Sequence, residues 1–421
     1  MSRPFAENPS PEHLEHDSML ARKFGKETAN YFSSSPLNRV SFLRSESPFL
    51  SSALRHPTAR FLLFNQLAPL VRSPAEIFYA TYKDVESLVP ADMFDKSEED
   101  VLKSYHSGTL LPLLVFLGLD ESRAEIGLKY KNYVGVPYFA LDVTPKGGLE
   151  HKARGIIDTL EATGLSFYNT RTITSFPPGD AAIYAQSRAI IDWNVRNSFC
   201  GTCGHPTISI QAGTKRACPP IDLGLIENGT SSDGARPPCH TRTTLSNLCF
   251  PRTDPTIIVA VLSHDGNRIL LGRQKRWPPN WYSTLAGFIE PGESVEDAVR
   301  REVWEESGVV LSRVIIHSTQ PWPYPANLMI GAIAQVAKPE NETISIVHDP
   351  ELEDAQWFEI AEVEEALRVG TSALGAEPGP EYKKGSLRLP PKTAIAYQLI
   401  SAVRDEKEEE YSTFAEKCKC R

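Results

Sequence analysis

The chain has 421 residues, a formal net charge of −9 and a sequence pI near 5.7. This length allows two substantial domains and a small metal-binding module, and the acidic balance argues against nonspecific binding to nucleic acid, which needs a basic surface. The longest apolar run, residues 110–119, is too short to span a bilayer, so we predict no membrane-spanning segment.

The N-terminal half carries little distinctive chemistry. Residues 1–28 are polar and are predicted to form a loose segment, and nothing in them resembles a secretory signal. Apolar alternation from residue 30 onward predicts strands, with residues 110–119 as a buried strand, and the spacing of residues 181–197 predicts a helix. We therefore predict an N-terminal α/β domain over residues 29–198.

Five of the seven cysteines fall in one stretch: Cys200, Cys203, Cys218, Cys239 and Cys249. A Cys-x-x-Cys knuckle followed by further cysteines within about 40 residues is typical of tetrahedral thiolate zinc, and disulfides are not expected without a secretory route. Spacing alone leaves four ligands to be chosen from these five candidates. Residues 219–238 are rich in Gly, Ser and Pro and are predicted to be a flexible insertion. Cys418 and Cys420 are predicted to be free thiols.

An acid-rich loop and helix follow. Seven positions define the pattern: Gly287, Glu293, Arg301, Glu302, Glu305, Glu306 and Gly308. Pro291 and Gly292 predict a turn, and Ser294 with Asp297 predicts a capped helix that ends before Gly308.

This helix has an apolar face that turns acidic. Glu302 and Glu306 continue the face begun by residues 295–299, and like charges one turn apart need a compensating cation. Arg301 can reach Glu305 but cannot neutralise the whole group. Hard divalent cations with carboxylate ligands, chiefly Mg²⁺ or Mn²⁺, suit the remainder.

Two aromatic residues, Trp322 and Tyr324, lie between three prolines after this helix. Because proline fixes φ and removes amide donors, we predict a stiff, extended segment whose flat surfaces suit a base or a nicotinamide ring. The alternative is a proline-rich surface loop. Further on, residues 350–358 predict an acidic turn before a buried strand, and residues 389–400 predict a helix that starts at its prolines.

Residues 287–309 resemble the box of the Nudix hydrolases, which hydrolyse nucleoside diphosphates linked to another group. Residues 319–327 resemble the SQPWPFPxS signature of the NADH pyrophosphatases in that superfamily, with Thr319, Tyr324 and Asn327 replacing Ser, Phe and Ser. The domain order also resembles that family over nearly the whole chain, and residues 30–39 most resemble its eukaryotic, particularly fungal, members.

The resemblance implies an α/β protein with three parts after the loose segment. The N-terminal α/β domain (29–198) is followed by a central zinc ribbon (199–250). A C-terminal Nudix fold (251–404), a mixed sheet sandwiched between helices, precedes a charged tail (405–421).

The resemblance also implies roles for single residues. The implied metal ligands are Glu302, Glu306, the backbone carbonyl of Ala286, and Glu351 with Glu353 as runner-up. Glu305 would be a further ligand or base, while Glu293 and Arg301 would brace the loop and helix. The implied substrate-binding residues are Gln320, Pro321, Trp322, Pro323, Tyr324, Pro325, Ala326, Asn327 and, on the last helix, Ala396. The implied zinc ligands are Cys200, Cys203, Cys218 and Cys239, with Cys249 as runner-up because it lies beside the family element that follows the ribbon.

The expected activity is metal-dependent hydrolysis of the diphosphate bond of NADH, and more weakly of NAD⁺, to nicotinamide mononucleotide and AMP. We expect several Mg²⁺ or Mn²⁺ ions per site, one structural Zn²⁺, a homodimer, and a cytoplasmic or peroxisomal rather than secreted protein. Removal of NAD caps from RNA 5′ ends, or a broader substrate such as ADP-ribose, is the enzymatic alternative. A zinc-ribbon binding module on an inactive Nudix scaffold is the non-enzymatic one, which the intact acid set disfavours.

Overall fold

The computed structural model describes residues 29–168, 173–243, 247–290, 293–347 and 351–405. The predicted loose N-terminal segment, the tail with Cys418 and Cys420, and the turn at Pro291 and Gly292 lie outside these residues. The described chain divides into two compact units. The first unit comprises residues 32–253 and 322–326, and the second comprises residues 29–31, 254–321 and 327–405.

The first unit is built on a mixed sheet. Its strands are β1 (Arg60–Asn65), β2 (Ala68–Ser73), β3 (Glu76–Ile77), β4 (Tyr79–Ala80), β5 (Leu113–Asp120), β6 (Leu128–Tyr130), β7 (Tyr133–Asp142) and β8 (Ser166–Phe167). Its helices are α1 (Ser47–Leu54), α2 (Tyr82–Val85), α3 (Glu98–Lys103), α4 (Glu150–Glu161) and α5 (Pro178–Arg196), with 3₁₀ turns at Ser41–Leu43, Glu121–Ile126 and Gly147–Leu149. Strand β1 pairs antiparallel with β2 and β4 and parallel with β7, and β7 pairs antiparallel with β5.

Two elements predicted for this unit are confirmed. The apolar run forms the buried strand β5, although the strand starts later than the run and Leu110 and Leu111 are 42% and 53% exposed. Helix α5 begins at Pro178, where a missing amide hydrogen costs nothing because the first turn has no internal acceptor.

A small hairpin module follows α5 within the first unit. It consists of antiparallel strands β9 (Ile208–Ile210) and β10 (Lys215–Ala217), short helices α6 (Leu223–Glu227) and α7 (His240–Thr243), and a 3₁₀ turn at Asn247–Cys249. Gly213 takes a left-handed φ of 90° in the hairpin turn.

The second unit is also built on a mixed sheet. Its strands are β11 (Asp254–Leu262), β12 (Arg268–Arg273), β13 (Leu285–Phe288), β14 (Leu311–Trp322), β15 (Asn327–Val336) and β16 (Asp354–Glu359). Its helices are α8 (Val295–Ser307), α9 (Ile360–Val369) and α10 (Ile395–Asp405), with a 3₁₀ turn at Pro339–Glu342. The strand order is β14-β15-β11-β12-β16, and β13 pairs with β11.

Helices cover both faces of this second sheet, as the alternation of side chains along β11 shows. Ile258 and Ala260 belong to the apolar cluster that includes residues of α9 and α10. Ile257 and Val259 belong to the opposite cluster, which includes Ala298, Val299 and Val303 of α8. Because successive strand residues point to opposite faces, β11 is apolar from Ile257 to Leu262, and the sheet is sandwiched between helices, as predicted.

The two units repeat one sheet topology. The order β2-β1-β7-β5 in the first corresponds to β12-β11-β15-β14 in the second, and β4 lies on β1 as β13 lies on β11. After β13 the second unit has the long helix α8, whereas between β4 and β5 the first unit has only the short helices α2 and α3. The first unit thus repeats the sheet without a counterpart of the long helix α8, which our interpretation of the sequence did not predict.

One helix boundary differs from the prediction. Helix α10 starts at Ile395 and not at the prolines, because Pro390 and Pro391 precede a turn in which the amide of Ala394 donates to the carbonyl of Pro391 at 2.9 Å. The predicted domain boundaries themselves stay predictions.

Candidate metal centre and substrate segment

Helix α8 carries Glu302, Glu305 and Glu306, here called the acid set, and is capped at both ends. The hydroxyl of Ser294 accepts a hydrogen bond from the amide of Asp297 at 3.2 Å, and Gly308 ends the helix in the left-handed region with φ 72°. This is the predicted cap pair. Ala298, Val299 and Val303 are fully buried and anchor the helix to the sheet.

The carboxylate of Glu302 lies directly on the backbone of Gly287 in β13. A Cβ atom at Gly287 would meet the Glu302 carboxylate at 2.0–2.2 Å, so only glycine leaves room for it. Ala286, one residue earlier, pairs with Ile258 in the sheet. Helix α8 therefore places the Glu302 carboxylate against strand β13, which also contains Ala286, the predicted carbonyl ligand.

Arg301 is the main counter-charge to these carboxylates. It donates to both oxygens of Glu293 at 2.7 and 2.9 Å and to the carbonyl of Phe288 at 2.9 Å. It also donates to Glu302 at 3.0 Å and to Glu305 at 2.9 Å. These contacts brace the loop to the helix, the role predicted for Glu293 and Arg301.

The charge state of the set follows from these contacts. Hydrogen bonds from Arg301 are the largest influence on Glu293 and lower its pKa, whereas burial is the largest influence on Glu302 and raises its pKa. Glu306 is buried with 6% of its surface exposed. Burial of several carboxylates beside one arginine leaves negative charge that a cation would offset.

The other candidate ligands lie after the second unit's 3₁₀ turn. Glu351 is exposed, while the runner-up Glu353 is ion-paired with Arg273. Among the described residues, the carboxylates of helix α8 do not form a compact group of three or more potential ligand atoms. The ligand role of Glu351 stays a prediction.

A compact group of potential ligands does form in the hairpin module. The Sγ atoms of Cys200, Cys203, Cys218 and Cys239, here called the thiol cluster, all lie within 4.8 Å of one another. Sγ–Sγ distances are 3.7 Å for Cys200 and Cys239 and 3.5 Å for Cys203 and Cys218. Tetrahedral zinc with Zn–S bonds of about 2.3 Å places thiolates about 3.8 Å apart, so the spacing fits this ion.

Cys249 lies outside the thiol cluster, and its Sγ is 3.9 Å from the carbonyl of Thr241. This placement favours Cys239 as the fourth ligand. Burial opposes ionisation of Cys200, but hydrogen bonds, first among them one from the Thr241 hydroxyl, lower its pKa to about 6. Arg242 also donates to the sulfur of Cys218 at 3.2 Å. Sequence reasoning missed both Thr241 and Arg242, which stabilise thiolate charge.

The predicted flexible insertion, residues 219–238, is folded. Arg236 pairs with Asp222 at 2.5 Å, and both side chains are almost fully buried. Asp222 also accepts from the amides of Ser107 and Gly224, and the Arg236 guanidinium lies over the ring of Tyr105. The prediction of flexibility was wrong because Gly- and Ser-rich composition does not reveal a buried ion pair.

Gln320 is buried and makes hydrogen bonds that connect three parts of the second unit. Only 1% of it is exposed. Its amide nitrogen donates to the carbonyls of Tyr31 and Thr393, and its carbonyl accepts from the amide of Ile395, each at 2.9 Å. Its amide group is therefore engaged within the second unit, and its substrate role stays a prediction.

The segment Trp322–Ala326, here called the hairpin tip, comprises the last residue of β14 and the turn that leads into β15. The predicted extended conformation is therefore interrupted by this turn. Phe32 packs edge-on against Trp322 and Tyr324 with ring centroids 5.9 and 6.3 Å apart. The hydroxyl of Tyr324 accepts from the amide of Ile173 at 2.8 Å and lies 3.2 Å from the hydroxyl of Tyr184. Tyr324 is thus held within the first unit.

Arg188 of helix α5 completes this arrangement. It donates to the carbonyl of Pro323, and its guanidinium lies 4.6 Å from the centroid of the Tyr324 ring. Sequence reasoning missed Arg188 because nothing in a helical arginine indicates which loop it meets. Its contacts make it a positioning residue for the hairpin tip.

The remaining predicted substrate residues take three positions. Pro321 lies in β14, one residue before its end, and the hairpin tip contains Pro323, Pro325 and Ala326. Asn327 begins β15 and donates to the hydroxyl of Thr256 at 3.3 Å, while its own carbonyl oxygen is buried without a donor among the described residues. Ala396 is buried in the apolar cluster under α10.

A mixed sheet between helices, with an acidic helix packed against a glycine-bearing strand, defines a Nudix hydrolase, here joined to a thiol cluster and a second sheet. Three family models match: the NADH pyrophosphatase-like rudimentary NUDIX domain at residues 58–193, the NADH pyrophosphatase zinc ribbon domain at 196–221, and the NUDIX domain at 252–374. The chain belongs to the NADH pyrophosphatase family of Nudix hydrolases.

Similar proteins span nearly the whole chain. It is 35% identical to the NAD-capped RNA hydrolase of Schizosaccharomyces pombe over 91% of this chain and 95% of that one. It is 32% identical to NAD-capped RNA hydrolase NPY1 of Saccharomyces cerevisiae over 89% and 94%. It is 29% identical to the mitochondrial NAD(P)H pyrophosphatase NUDT13 of Homo sapiens over 82% and 83%.

The matched domains imply a divalent metal and zinc. The zinc ribbon match ends at residue 221 and so includes three of the clustered cysteines, while Cys239 follows the folded insertion. Within the described residues, each helix is too short or too polar to cross a bilayer.

Proposed function

We propose that this hydrolase cleaves the diphosphate bond of NADH, and more weakly of NAD⁺, to give nicotinamide mononucleotide, reduced or oxidised, and AMP. The observation that carries the proposal is the Glu302 carboxylate held against Gly287, on the strand that also contains Ala286. Membership in the NADH pyrophosphatase family and a relative named NAD(P)H pyrophosphatase support the nicotinamide dinucleotide as substrate.

The donor set suits a hard divalent cation. Glu302, Glu306, the Ala286 carbonyl and Glu351 offer only oxygen, which Mg²⁺ and Mn²⁺ prefer. Bound there, such ions would stabilise charge on the diphosphate oxygens and lower the pKa of the attacking water.

The chain's own residues supply orientation and proton transfer. Arg301 holds Glu302 and Glu305 at 3.0 and 2.9 Å and so fixes the geometry of the helix carboxylates. Glu305 or Glu306 accepts the proton of the water that attacks phosphorus. The bond between that phosphorus and the bridging oxygen then breaks, and the two mononucleotides leave.

Removal of NAD caps from RNA is the second candidate. It uses the same bond cleavage on a longer substrate, and two relatives matched over 95% and 94% of their lengths are named NAD-capped RNA hydrolases. We further propose one structural zinc in the thiol cluster and a homodimer, which light scattering would test. A cytoplasmic or peroxisomal location stays a prediction.

The direct test is product analysis by chromatography. Purified protein is incubated with NADH, NAD⁺, ADP-ribose and an NAD-capped RNA oligonucleotide, with Mg²⁺ or Mn²⁺. We expect nicotinamide mononucleotide and AMP from NADH, and a 5′-monophosphate RNA from the capped oligonucleotide if the second activity is present. The absence of hydrolysis of all four substrates would contradict the proposal.

The acid set is tested by Glu306→Gln, which removes a charge but keeps the shape. We expect kcat for NADH to fall by about a hundredfold or more because a metal-binding carboxylate is lost, with circular dichroism unchanged. The control is Glu364→Gln, an exposed residue on α9. Near-normal turnover in Glu306→Gln would remove this residue from the metal site.

A further inference from the structure

Strand β16 is preceded by a bend beside the predicted ligand Glu351. Phe358 belongs to the apolar cluster that includes residues of α9 and α10, and strand alternation places Asp354 on the same face of the sheet. Leu352, two residues earlier, belongs instead to the cluster that includes residues of α8. The backbone therefore leaves the strand geometry at Glu353, which forms a bend. Side chains around this bend help to set the direction of the chain at Glu351.

Strand β12 holds one side of the bend. The amide of Glu353 donates to the carbonyl of Arg273 at 2.9 Å, and the Glu353 carboxylate pairs with the guanidinium group of Arg273. A Cβ at Gly272 would meet Cδ1 of Leu352 at 2.9 Å, so glycine at this position leaves room for the leucine. Glu351 is exposed and has no ion pair within the described part of the chain. Of the two carboxylates at the bend, Glu351 is therefore the one available to a cation.

Three polar side chains hold the other side of the bend, on the α10 face of the sheet. The hydroxyl of Tyr282 donates to Oδ2 of Asp354 at 2.5 Å, and the amide of Gln356 donates to the same oxygen at 2.5 Å. Tyr282 reaches Asp354 across β12, because the residue after Tyr282 pairs with Gly272, and β16 pairs with the other edge of that strand. Asp354 has no ion pair among the described residues, so these two donors hold its carboxylate.

Tyr282 is itself held in place. It is 7% exposed, and its ring packs edge-on against Phe358 with centroids 5.0 Å apart. Its amide donates to the carbonyl of Arg388 at 2.9 Å. Burial is the largest influence on Tyr282 and raises its pKa, so the hydroxyl keeps the proton that it donates. A fixed donor therefore sets the position of Asp354 and, through it, the start of β16.

We propose that Tyr282 and Gln356 are positioning residues for the hydrolysis, which act through Asp354 to fix the bend that presents Glu351 to a divalent cation. The proposal rests on the proposed function, in which Glu351 is a metal ligand. Hydrogen bonds outside the ligand set orient metal ligands, and metal affinity falls when they are removed. In this role neither residue touches the substrate.

Binding of Mn²⁺ measures this role without relying on hydrolysis. Mn²⁺ is titrated into the purified protein without nucleotide, and the free ion is measured by electron paramagnetic resonance. Tyr282→Phe keeps the ring but removes the hydroxyl, and we expect it to weaken Mn²⁺ binding about three- to tenfold. The matched control is Tyr382→Phe, which removes a hydroxyl that donates to the carbonyl of Ser386 at 2.6 Å in the same unit. The control should bind Mn²⁺ as the wild type does.

Gln356→Ala repeats the test at an exposed side chain, whose removal leaves the core of the unit intact. It should weaken Mn²⁺ binding in the same direction as Tyr282→Phe. In both variants kcat for NADH should fall when Mn²⁺ is limiting and recover when Mn²⁺ is saturating, a recovery that a general loss of structure would not show. Thermal melting of each variant is compared with the wild type. Mn²⁺ affinity equal to that of the wild type in both variants would overturn the positioning role.

Glu351→Gln separates this proposal from the function on which it rests. If Tyr282 acts through Glu351, the double variant should bind Mn²⁺ no more weakly than Glu351→Gln alone. Additive losses would overturn the path through Glu351. Unchanged Mn²⁺ affinity in Glu351→Gln would remove Glu351 from the metal site and the positioning role with it. Weaker binding in Glu351→Gln without any change in Tyr282→Phe and Gln356→Ala would overturn the positioning role alone. These binding results hold whether or not the protein hydrolyses NADH.

Discussion

Gly287 and Glu302 show how one side chain of the candidate site restricts another. A Cβ at Gly287 would lie 2.0 Å from the carboxyl carbon of Glu302. Because the clash involves the end of a flexible side chain and not backbone, the carboxylate can rotate away while the fold persists.

We therefore expect Gly287→Ala to lower kcat/KM for NADH by about tenfold or more, since the displaced Glu302 leaves its position against β13. Its melting temperature should stay close to that of the wild type. Gly148→Ala is the control, since a Cβ there meets no atom within 4 Å. Full activity in Gly287→Ala would show that the position of Glu302 against this strand is not required.

At the residue scale, sequence reasoning worked where the chemistry lies within one helix. Arg301 reaches Glu305 at the predicted spacing, and Ser294 and Gly308 cap the helix as predicted. It did not predict the contacts of Gln320, because a glutamine in a signature segment does not reveal that its amide will bond to Thr393 and Ile395.

Gln320 can be tested as a structural residue. Gln320→Ala leaves two carbonyls and one amide without their present partner, so we expect a loss of about 1–3 kcal/mol in the free energy of unfolding, measured by urea denaturation. Gln398→Ala is the control, because Gln398 is more exposed and makes one bond to the carbonyl of Lys392 at 3.2 Å. Unchanged stability together with a raised KM would instead restore a direct substrate role for Gln320.

At the scale of elements, the cysteine ligands of the hairpin module could be predicted from the sequence, but the packing of residues 219–238 around them could not. A Cys-x-x-Cys knuckle and two later cysteines indicate zinc whatever separates them. The packing of residues 219–238 depends on Asp222 and Arg236, which lie 14 residues apart and meet only in the folded chain.

The choice between the two candidate fourth ligands is tested by metal analysis. Cys239→Ser should lose the tightly bound zinc, about one ion per chain, because Cys239 belongs to the thiol cluster. Cys249→Ser is the matched control and should keep the zinc. Zinc retained in the first variant and lost in the second would move the fourth ligand to Cys249.

At the scale of the whole molecule, one sheet topology occurs twice with different content. The second copy carries the long acidic helix α8 after β13, whereas the first copy has the short helices α2 and α3 at the same place. Our interpretation of the sequence missed the repeat because a topology is a pattern of strand pairing, which residue patterns in the two halves do not display. The first unit instead holds the hairpin tip through Phe32, Tyr184 and Arg188.

The hairpin tip is tested by variants that separate a ring surface from a packing contact. Trp322→Ala removes an indole that could stack on a nucleotide ring, a contact worth about 1–3 kcal/mol, so kcat/KM for NADH should fall at least about tenfold while slow hydrolysis of ADP-ribose changes much less. Tyr324→Phe keeps the ring but removes the hydroxyl that accepts from Ile173, so it should lower thermal stability and leave the ratio of the two substrates near that of the wild type. Steady-state kinetics on both substrates and thermal melting measure these effects. An equal loss of kcat/KM for NADH and for ADP-ribose in Trp322→Ala would mean that the hairpin tip supports the fold and does not bind the nicotinamide half of the dinucleotide.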